Sequence, residues 1–440
     1  MSHLSPSATL AADQRCGFLL PRKNRRCRMQ TKAGHRFCGE HCATNNEVTI
    51  NDTSADDPTL KRNRVRCPLD PSHTVDAAAL ATHVRRRCNA RVPTEVPWIR
   101  HCVNVDVNVA GSDSSSSSDV TAAASRPLLD SMIERVSALW LRDVGVDERH
   151  FDGCDRQHQL KLGAAKRKHL RQQSSLVGHC VQLLRRNRLG ENAALHFVEF
   201  GAGRAQLTCW LVDAVQSVSS SSSTDGARFL LIDRAGCRHK FENKLATDTT
   251  LHSQRRRVAR VRCAIEHLRL CEVPAVKQAQ LESPSGAVSF VGLCKHLCGV
   301  ATDHAIRCLL TASRHDAAEG CAALLAPCCH HRCVWSQFCG RPFLTQLGFA
   351  SERDFATLLH IAAWATCGFH GRTGTDDNAA GADETEQVQL EKEALGRKVK
   401  QLLELARVDY LRKCGAFKNV QLIRYVDQSV TPENLLIIAE

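Results

Sequence analysis

The sequence predicts an α/β domain preceded by two small metal-stapled modules, and three observations carry that expectation. After residue 129, short apolar runs (LHFVEF, RFLLID, AVSFVGL, CAALLAP) alternate with amphipathic stretches (LTCWLVDAV, DHAIRCLLTA), the pattern of strands interleaved with helices. A glycine pair, Gly201 and Gly203, follows the first of those runs and opens a helical stretch. Ahead of this domain, cysteines and histidines crowd a basic region that has no long periodic helix.

A chain of 440 residues with 43% apolar content can bury a sizeable core and has the length of two to three domains. Its formal charge of +13, from 59 basic and 46 acidic residues, is clustered in PRKNRRCR from Pro21, KRNRVR from Lys61, RRR from Arg85 and KLGAAKRKHLR from Lys161. One such run alone is ordinary solvated surface; their recurrence beside Cys/His groups points to a phosphate backbone as partner. The 23 cysteines come with no apolar signal-like stretch after the opening residues. Nor does any apolar run reach the length that spans a bilayer, so neither secretion nor a membrane partner is expected. In the reducing cytoplasm or nucleus such thiols are metal ligands, core residues or reactive groups.

Polar low-complexity stretches set the expected boundaries: GSDSSSSSDV from Gly111, SVSSSSSTDG from Ser217 and RTGTDDNAAGADETEQ from Arg372. They imply a first Cys/His module over 1–50, a second over 61–92 and a Ser-rich linker over 93–128. The α/β domain then occupies 129–440, with insertions near 216–227 and 372–388.

In the first module the candidate zinc ligands are Cys16, Cys27, Cys38 and His41, with Cys42 and His35 as alternatives for the fourth position. In the second they are Cys67, His73, His83 and Cys88. There Cys67 and His73 flank a Pro-Asp-containing turn, and His83 and Cys88 fall near the end of a helix expected over TVDAAALATHVRRR, so two loop ligands can meet two helix ligands. A segment this small and apolar-poor needs such a staple to fold.

In the α/β domain, VEFGAGRAQ places Glu199, Gly201 and Gly203 at a strand-to-helix turn, where glycines let backbone amides approach a bound group. A dinucleotide fingerprint would have a small residue at position 206; Gln206 stands there and Ala205 precedes it, which favours a nucleoside cofactor over a dinucleotide. Asp233, ending the next strand, is the expected ribose partner. It follows Gly201 by 32 residues, against the usual about 20, and the Ser-rich insertion accounts for the excess at little entropic cost. Glu266, after the third strand, is the candidate adenine-side acid. Lys295, His296 and Cys298 follow the fourth strand, and Cys328, Cys329, His330 and His331 end the fifth, so all are expected at the carboxyl edge of the sheet.

Taken in order, VEFGAGRAQLTCWL, KHLCGVATDHAIRCLL, CCHHRC, AAWATCGF, the tail LGRKVKQLLELARVDYL with TPENLLIIA, and the two Cys/His modules resemble the eukaryotic tRNA 2′-O-methyltransferases that modify nucleotide 4 of the acceptor stem. The resemblance covers about residues 14–92 and 130–440. It implies a Rossmann-like class I methyltransferase sheet behind CCCH-type and CHHC-type zinc modules, two structural zinc ions, S-adenosylmethionine as cofactor and the tRNA acceptor stem as partner. It also implies that Gly201, Gly203 and Asp233 belong to the cofactor site and that Lys295, His296, Cys328, Cys329, His330 and His331 line the reaction pocket. Glu199 and Glu266 join the cofactor-side candidates by their positions at strand ends, and Lys295, His296 and His330 are the candidates for the proton-accepting or substrate-orienting group. The sequence departs from the family's pattern at Ala205, where glycine is expected, and at Pro327, where an apolar residue is expected.

Two rival readings remain at this stage. Pro327-Cys328 offers a thiolate for a cytosine-5 methyltransferase, and a degenerate domain behind two fingers would be a non-catalytic RNA adaptor. The CCHHRC cluster itself is expected to wall the pocket and not to bind metal, since adjacent cysteines rarely both reach one ion.

Overall fold

The computed structural model describes residues 15–20, 25–27, 31, 37, 64–88, 91, 96–106, 126–139, 163–187, 189, 191–218, 226–235, 241, 243, 257–367 and 382–440. Two compact units divide the chain, Met1–Arg91 and Val92–Glu440.

In the first unit, β1 (Leu19–Leu20) and β2 (Arg25–Arg26) form an antiparallel pair. The amide of Cys27 donates to Phe18 O at 2.8 Å, and Cys16 and Cys27 are buried together against Phe18 and Phe37. A second hairpin joins β3 (Arg64–Cys67) to β4 (Asp70–Asp76), with Val65 opposite Val75 and Arg66 opposite Thr74. The helix expected from Thr74 therefore starts later. β-Branched Thr74 and Val75 pack better on a pleated ladder than in a helical turn, and Asp76 becomes the N-cap, its Oδ1 accepting from Ala78 N at 3.1 Å. The helical segment ends in a wide π-turn over His83–Arg87, closed by Cys88 N donating to His83 O at 2.7 Å.

In the second unit, seven strands among the described residues form one mixed sheet in the order β10-β11-β9-β8-β5-β6-β7. These are β5 (Ala194–Phe200), β6 (Arg228–Asp233), β7 (Val258–Arg262), β8 (Val288–Cys298), β9 (Ala318–Cys328), β10 (Val420–Arg424) and β11 (Leu435–Ala439). The first five run parallel, and β11 is antiparallel to both β9 and β10. Strand order reverses between β5 and β8, the switch point at whose carboxyl end open α/β sheets bind ligands.

Alternation along each strand splits the core. Leu195 and Phe197 of β5 point to one face, covered by α2 (Ala164–Arg186) and α3 (Gln206–Val218), which follow α1 (Arg126–Ala138). Val198 and Phe200 point to the other, covered by α4 (Pro274–Glu282) and α5 (Val300–Ser313). A third apolar cluster joins α1 and α6 (Arg341–Gln346) to α7 (Glu352–Cys367) and α8 (Ala382–Lys413).

Residues 96–106, expected within the linker, pack instead on the α/β unit. Asn104 is buried and donates from Nδ2 to Ile265 O at 2.7 Å and Leu268 O at 2.8 Å, and Arg269 N donates to Trp98 O at 2.9 Å. The sequence hides this because the segment has no periodicity; its apolar residues, Trp98 and Ile99, dock singly against the core.

Candidate active site

The loop after β5 is shaped by three left-handed residues, Gly201 (φ 67°), Gly203 (φ 49°) and Ala205 (φ 58°). At Gly201 a side chain would also meet Leu297 Cδ1 at 3.0 Å, so glycine is required there on both counts. Ala205 is fully buried in a left-handed conformation that favours glycine. Asp233, at the end of β6, accepts from Gly203 N at 2.7 Å and from Ala235 N at 2.8 Å. Its carboxylate is thereby fixed at the mouth of the switch-point crevice.

That crevice is a cavity of about 450 Å³, within the size range of small-ligand sites. Asp233 and Glu266 both line it, together with apolar Ile232, Ala264, Ile265, Leu297 and Ala301. Gly201, His296, Cys298, His304 and Arg332 complete the wall. Glu266 Oε2 lies 3.7 Å from His304 Nδ1; the hydrogen bond with His304 outweighs burial and holds the Glu266 carboxyl down at about 2. The other ring nitrogen of His304, Nε2, is buried without a hydrogen-bond partner.

β8 kinks at its carboxyl end: its register with β9 shifts between Lys295 and Leu297, and His296 adopts φ 61°. The kink aims His296 at the cavity, where Nε2 meets Gln172 Oε1 at 2.9 Å. With the amide oxygen accepting, Nε2 carries the proton and Nδ1 is the free acceptor. Burial, reinforced by the Lys295 charge, lowers the His296 imidazole to about 4. Lys295 Nζ lies 3.2 Å from His169 Nδ1, and burial brings its amine down to about 8. Gln172 and His169 come from one face of α2, three residues apart.

Two assignments made from sequence are corrected here. Glu199 is buried and turned away from the cavity; its Oε2 accepts from Thr208 Oγ1 at 2.5 Å and Thr208 N at 3.3 Å, so it braces the first turn of α3. A carboxylate at a helix N-terminus is favoured by the exposed amides there. His330 also leaves the pocket. Its Nε2 meets Glu404 Oε1 at 2.7 Å inside a buried ionic cluster, where Arg407 binds Glu404 Oε1 at 2.7 Å and Asp303 Oδ2 at 2.8 Å. Burial opposes ionisation of Asp303, but the Arg407 charge prevails and holds its carboxyl below the usual range. His331 is exposed. Arg332 reaches the cavity because Gly299, at φ 56°, lets its backbone come close; a Cβ there would lie 2.5 Å from Arg332 C. Sequence reasoning missed Arg332, His304, Gln172 and His169.

Cys328 is buried, and burial together with Cys298 and Cys329 pushes its thiol far up. It is thus a poor nucleophile for the cytosine-5 reading. The three sulfurs touch one another: Cys298 lies 3.5 Å from Cys328 and 3.4 Å from Cys329, and Cys328 lies 3.7 Å from Cys329.

In the second small module, Cys67 Sγ and Cys88 Sγ are 3.5 Å apart, and a ligand nitrogen of His83 lies within 4.8 Å of both. These donors fit one tetrahedral zinc ion; the His73 side chain lies outside the described residues. In the first module Cys16 and Cys27 are brought together, while Cys38, His41, Cys42 and His35 lie outside the described residues. Among the described residues no helix is long and apolar enough to cross a membrane.

The α/β unit thus has a cavity of small-ligand size at the switch point of its mixed sheet, lined by two carboxylates, Asp233 and Glu266, and its class is that of α/β folds with a ligand site at the strand ends. Residues 171–440 match the family described as Methyltransferase TRM13, residues 14–42 the CCCH zinc finger in TRM13 protein, and residues 64–89 the U11-48K-like CHHC zinc finger. The chain belongs to the TRM13 methyltransferase family and carries its zinc fingers. It is similar to the tRNA:m(4)X modification enzyme TRM13 of Eremothecium gossypii (31% identity over 96% of this chain and 94% of that one). Comparable likeness extends to the enzyme of the same name in Kluyveromyces lactis (30%; 96% and 94%) and to the mouse homolog (28%; 99% and 96%).

Proposed function

We propose that the chain transfers a methyl group from S-adenosylmethionine to the ribose 2′-hydroxyl of nucleotide 4 in the acceptor stem of tRNA. The observation that carries this reading is the switch-point cavity whose lining brings together Asp233, Glu266, His304 and His296. The position rests on the family and on its relatives, which are named as tRNA:m(4)X modification enzymes.

The residues suit the cofactor. The apolar part of the lining accepts a flat base, Asp233 the ribose hydroxyls, and Glu266 with His304 the base's polar edge, while the backbone at Gly201 allows close approach of the remainder. When bound, S-adenosylmethionine supplies a methyl carbon on a good leaving group. The protein's own task is therefore alignment and proton removal. Lys295 and His296 are the candidates to take the hydroxyl proton. Lys295 is better matched, since an amine titrating at about 8 is a stronger base than an imidazole at about 4 and still has a neutral fraction near neutrality. Arg332, exposed at the cavity rim, supplies a cation toward an RNA phosphate.

The fingers, with Arg85, Arg86 and Arg87 in the last turn of the second, would hold the duplex by phosphate and 2′-hydroxyl contacts, which suits a reaction on ribose. Such binding weakens steeply with salt. A tRNA substrate is consistent with the cytoplasm or nucleus as the place of action. The test is incubation of the purified chain with methyl-labelled S-adenosylmethionine and unmodified tRNA, followed by mapping of the label. Label on the nucleotide-4 ribose is the expected result; label on a base, or none, overturns the reading.

A further inference from the structure

Sequence alone argues against CCHHRC as a metal site, because successive residues of a strand point to opposite faces. The structure removes that objection. Cys328 is the last residue of β9, and Cys329 adopts a left-handed backbone (φ 51°, ψ 49°), which breaks the alternation and returns its sulfur to the side of Cys328. Cys298 is the residue paired with Cys328 in the parallel ladder, so its thiol arrives from the neighbouring strand. A second left-handed residue, His296, sits two positions before Cys298, and strain of this kind collects at ligand clamps.

The sulfur separations fit a metal. Zinc held tetrahedrally at its usual sulfur distance spaces its sulfurs about 3.8 Å apart, and the three edges here measure 3.4, 3.5 and 3.7 Å. The zinc-finger pair Cys67 and Cys88, at 3.5 Å, shows the same spacing in this chain. Among the described residues no fourth histidine, cysteine or carboxylate donor joins the three sulfurs within the 4.8 Å that encloses them. Closed structural sites use four protein ligands, whereas three ligands and a vacancy mark a site that binds an outside atom. Cys298 borders the 450 Å³ cavity, within reach of such a ligand.

We propose that Cys298, Cys328 and Cys329 hold a third zinc ion as thiolates, its fourth position taken by an oxygen from the cavity, either water or a hydroxyl. Binding releases the three thiol protons to solvent, and the resulting four-ligand cluster carries one net negative charge beside Lys295. The ion ties β8 to β9 at the carboxyl edge, where hydroxyl and methyl donor would meet.

The test is zinc content of the full chain, comparing the unaltered protein with Cys298→Ser, Cys329→Ser and, as a finger control, Cys67→Ser. Each of the first two variants is expected to hold one equivalent less zinc while keeping finger zinc and the helical circular dichroism of the parent. Full zinc content in both overturns the site. Because either variant could misfold, the unaltered protein is also loaded with cobalt(II) and titrated with azide. A thiolate site with a vacancy changes its visible spectrum on azide addition, and closed finger sites do not. A spectrum indifferent to azide overturns the open position. Neither readout uses methyl transfer, so the zinc site and the methyl-transfer reading fail separately.

Discussion

Around Arg407, two carboxylates and a histidine close on one guanidinium in the interior; around the cavity, Asp233 and Glu266 face open space and His304 keeps a bare nitrogen. Both clusters draw on α5, which gives Asp303 to one and His304 to the other, and on the segment after β9. The four residues Cys329, His330, His331 and Arg332 go to the thiol triangle, the ionic cluster, the exterior and the cavity in turn. The difference teaches that residue type does not mark the site in this protein; access does, since the Arg407 cluster is closed within the interior while Asp233 and Glu266 line a cavity that a ligand can enter.

The comparison is most severely tested at Lys295. Replacing it with Met should lower the single-turnover rate by about 10²- to 10⁴-fold if it is the proton acceptor. In the parent enzyme the active form is the neutral amine, so the rate should rise with pH and level off above about 8. An inflection near 4 would give the role to His296. Next in size is Asp303→Asn, which strips Arg407 of one buried partner and should cost about 3–5 kcal/mol of unfolding free energy, measured by denaturant titration. Because the Asp303 carboxyl is held low, its contribution is full above the ordinary carboxylate range and is lost as pH falls through its depressed value. Folded molecules of this variant should still bind S-adenosylmethionine; a selective loss of affinity would erase the distinction between scaffold and site.

At the cavity, Asp233→Ala should weaken S-adenosylmethionine about 100-fold by calorimetry, the worth of two charge-assisted hydrogen bonds, with a lower melting temperature as well because the Gly203 and Ala235 amides lose their acceptor. Glu266→Gln should weaken it about tenfold, since the amide keeps one acceptor. The smallest effect is expected of Ala205→Gly. Relief of a left-handed alanine should raise stability by about 1 kcal/mol, and an unchanged or lower value would show that the loop does not carry that strain.

The strands, the glycine turn and the placement of Asp233 and Glu266 at the cavity were legible in the sequence because each follows from local pattern: an apolar run, a turn residue, and an acid at or soon after the run's end. The grouping of Cys67, His83 and Cys88 was legible for the same reason. Glu199 and His330 were misread because where a carboxylate or imidazole points depends on partners far away in sequence, Thr208 across the turn and Glu404 on α8. His304 had a usable signal, since Val300, Ala301 and His304 share one helical face directly after a strand end and all three line the cavity. Nothing local tied His169 and Gln172 to the residues 126 and 124 positions later that they meet.

One consequence follows from the placement of β11. This strand comes after all the others in sequence yet lies inside the sheet, bonded on one side to β9 and on the other to β10. During synthesis the flank of β9 must wait, an exposed template for misplaced pairing, until Leu435–Ala439 emerges and slides in antiparallel. A delay between the emergence of β9 and the completion of the sheet is therefore written into the strand order.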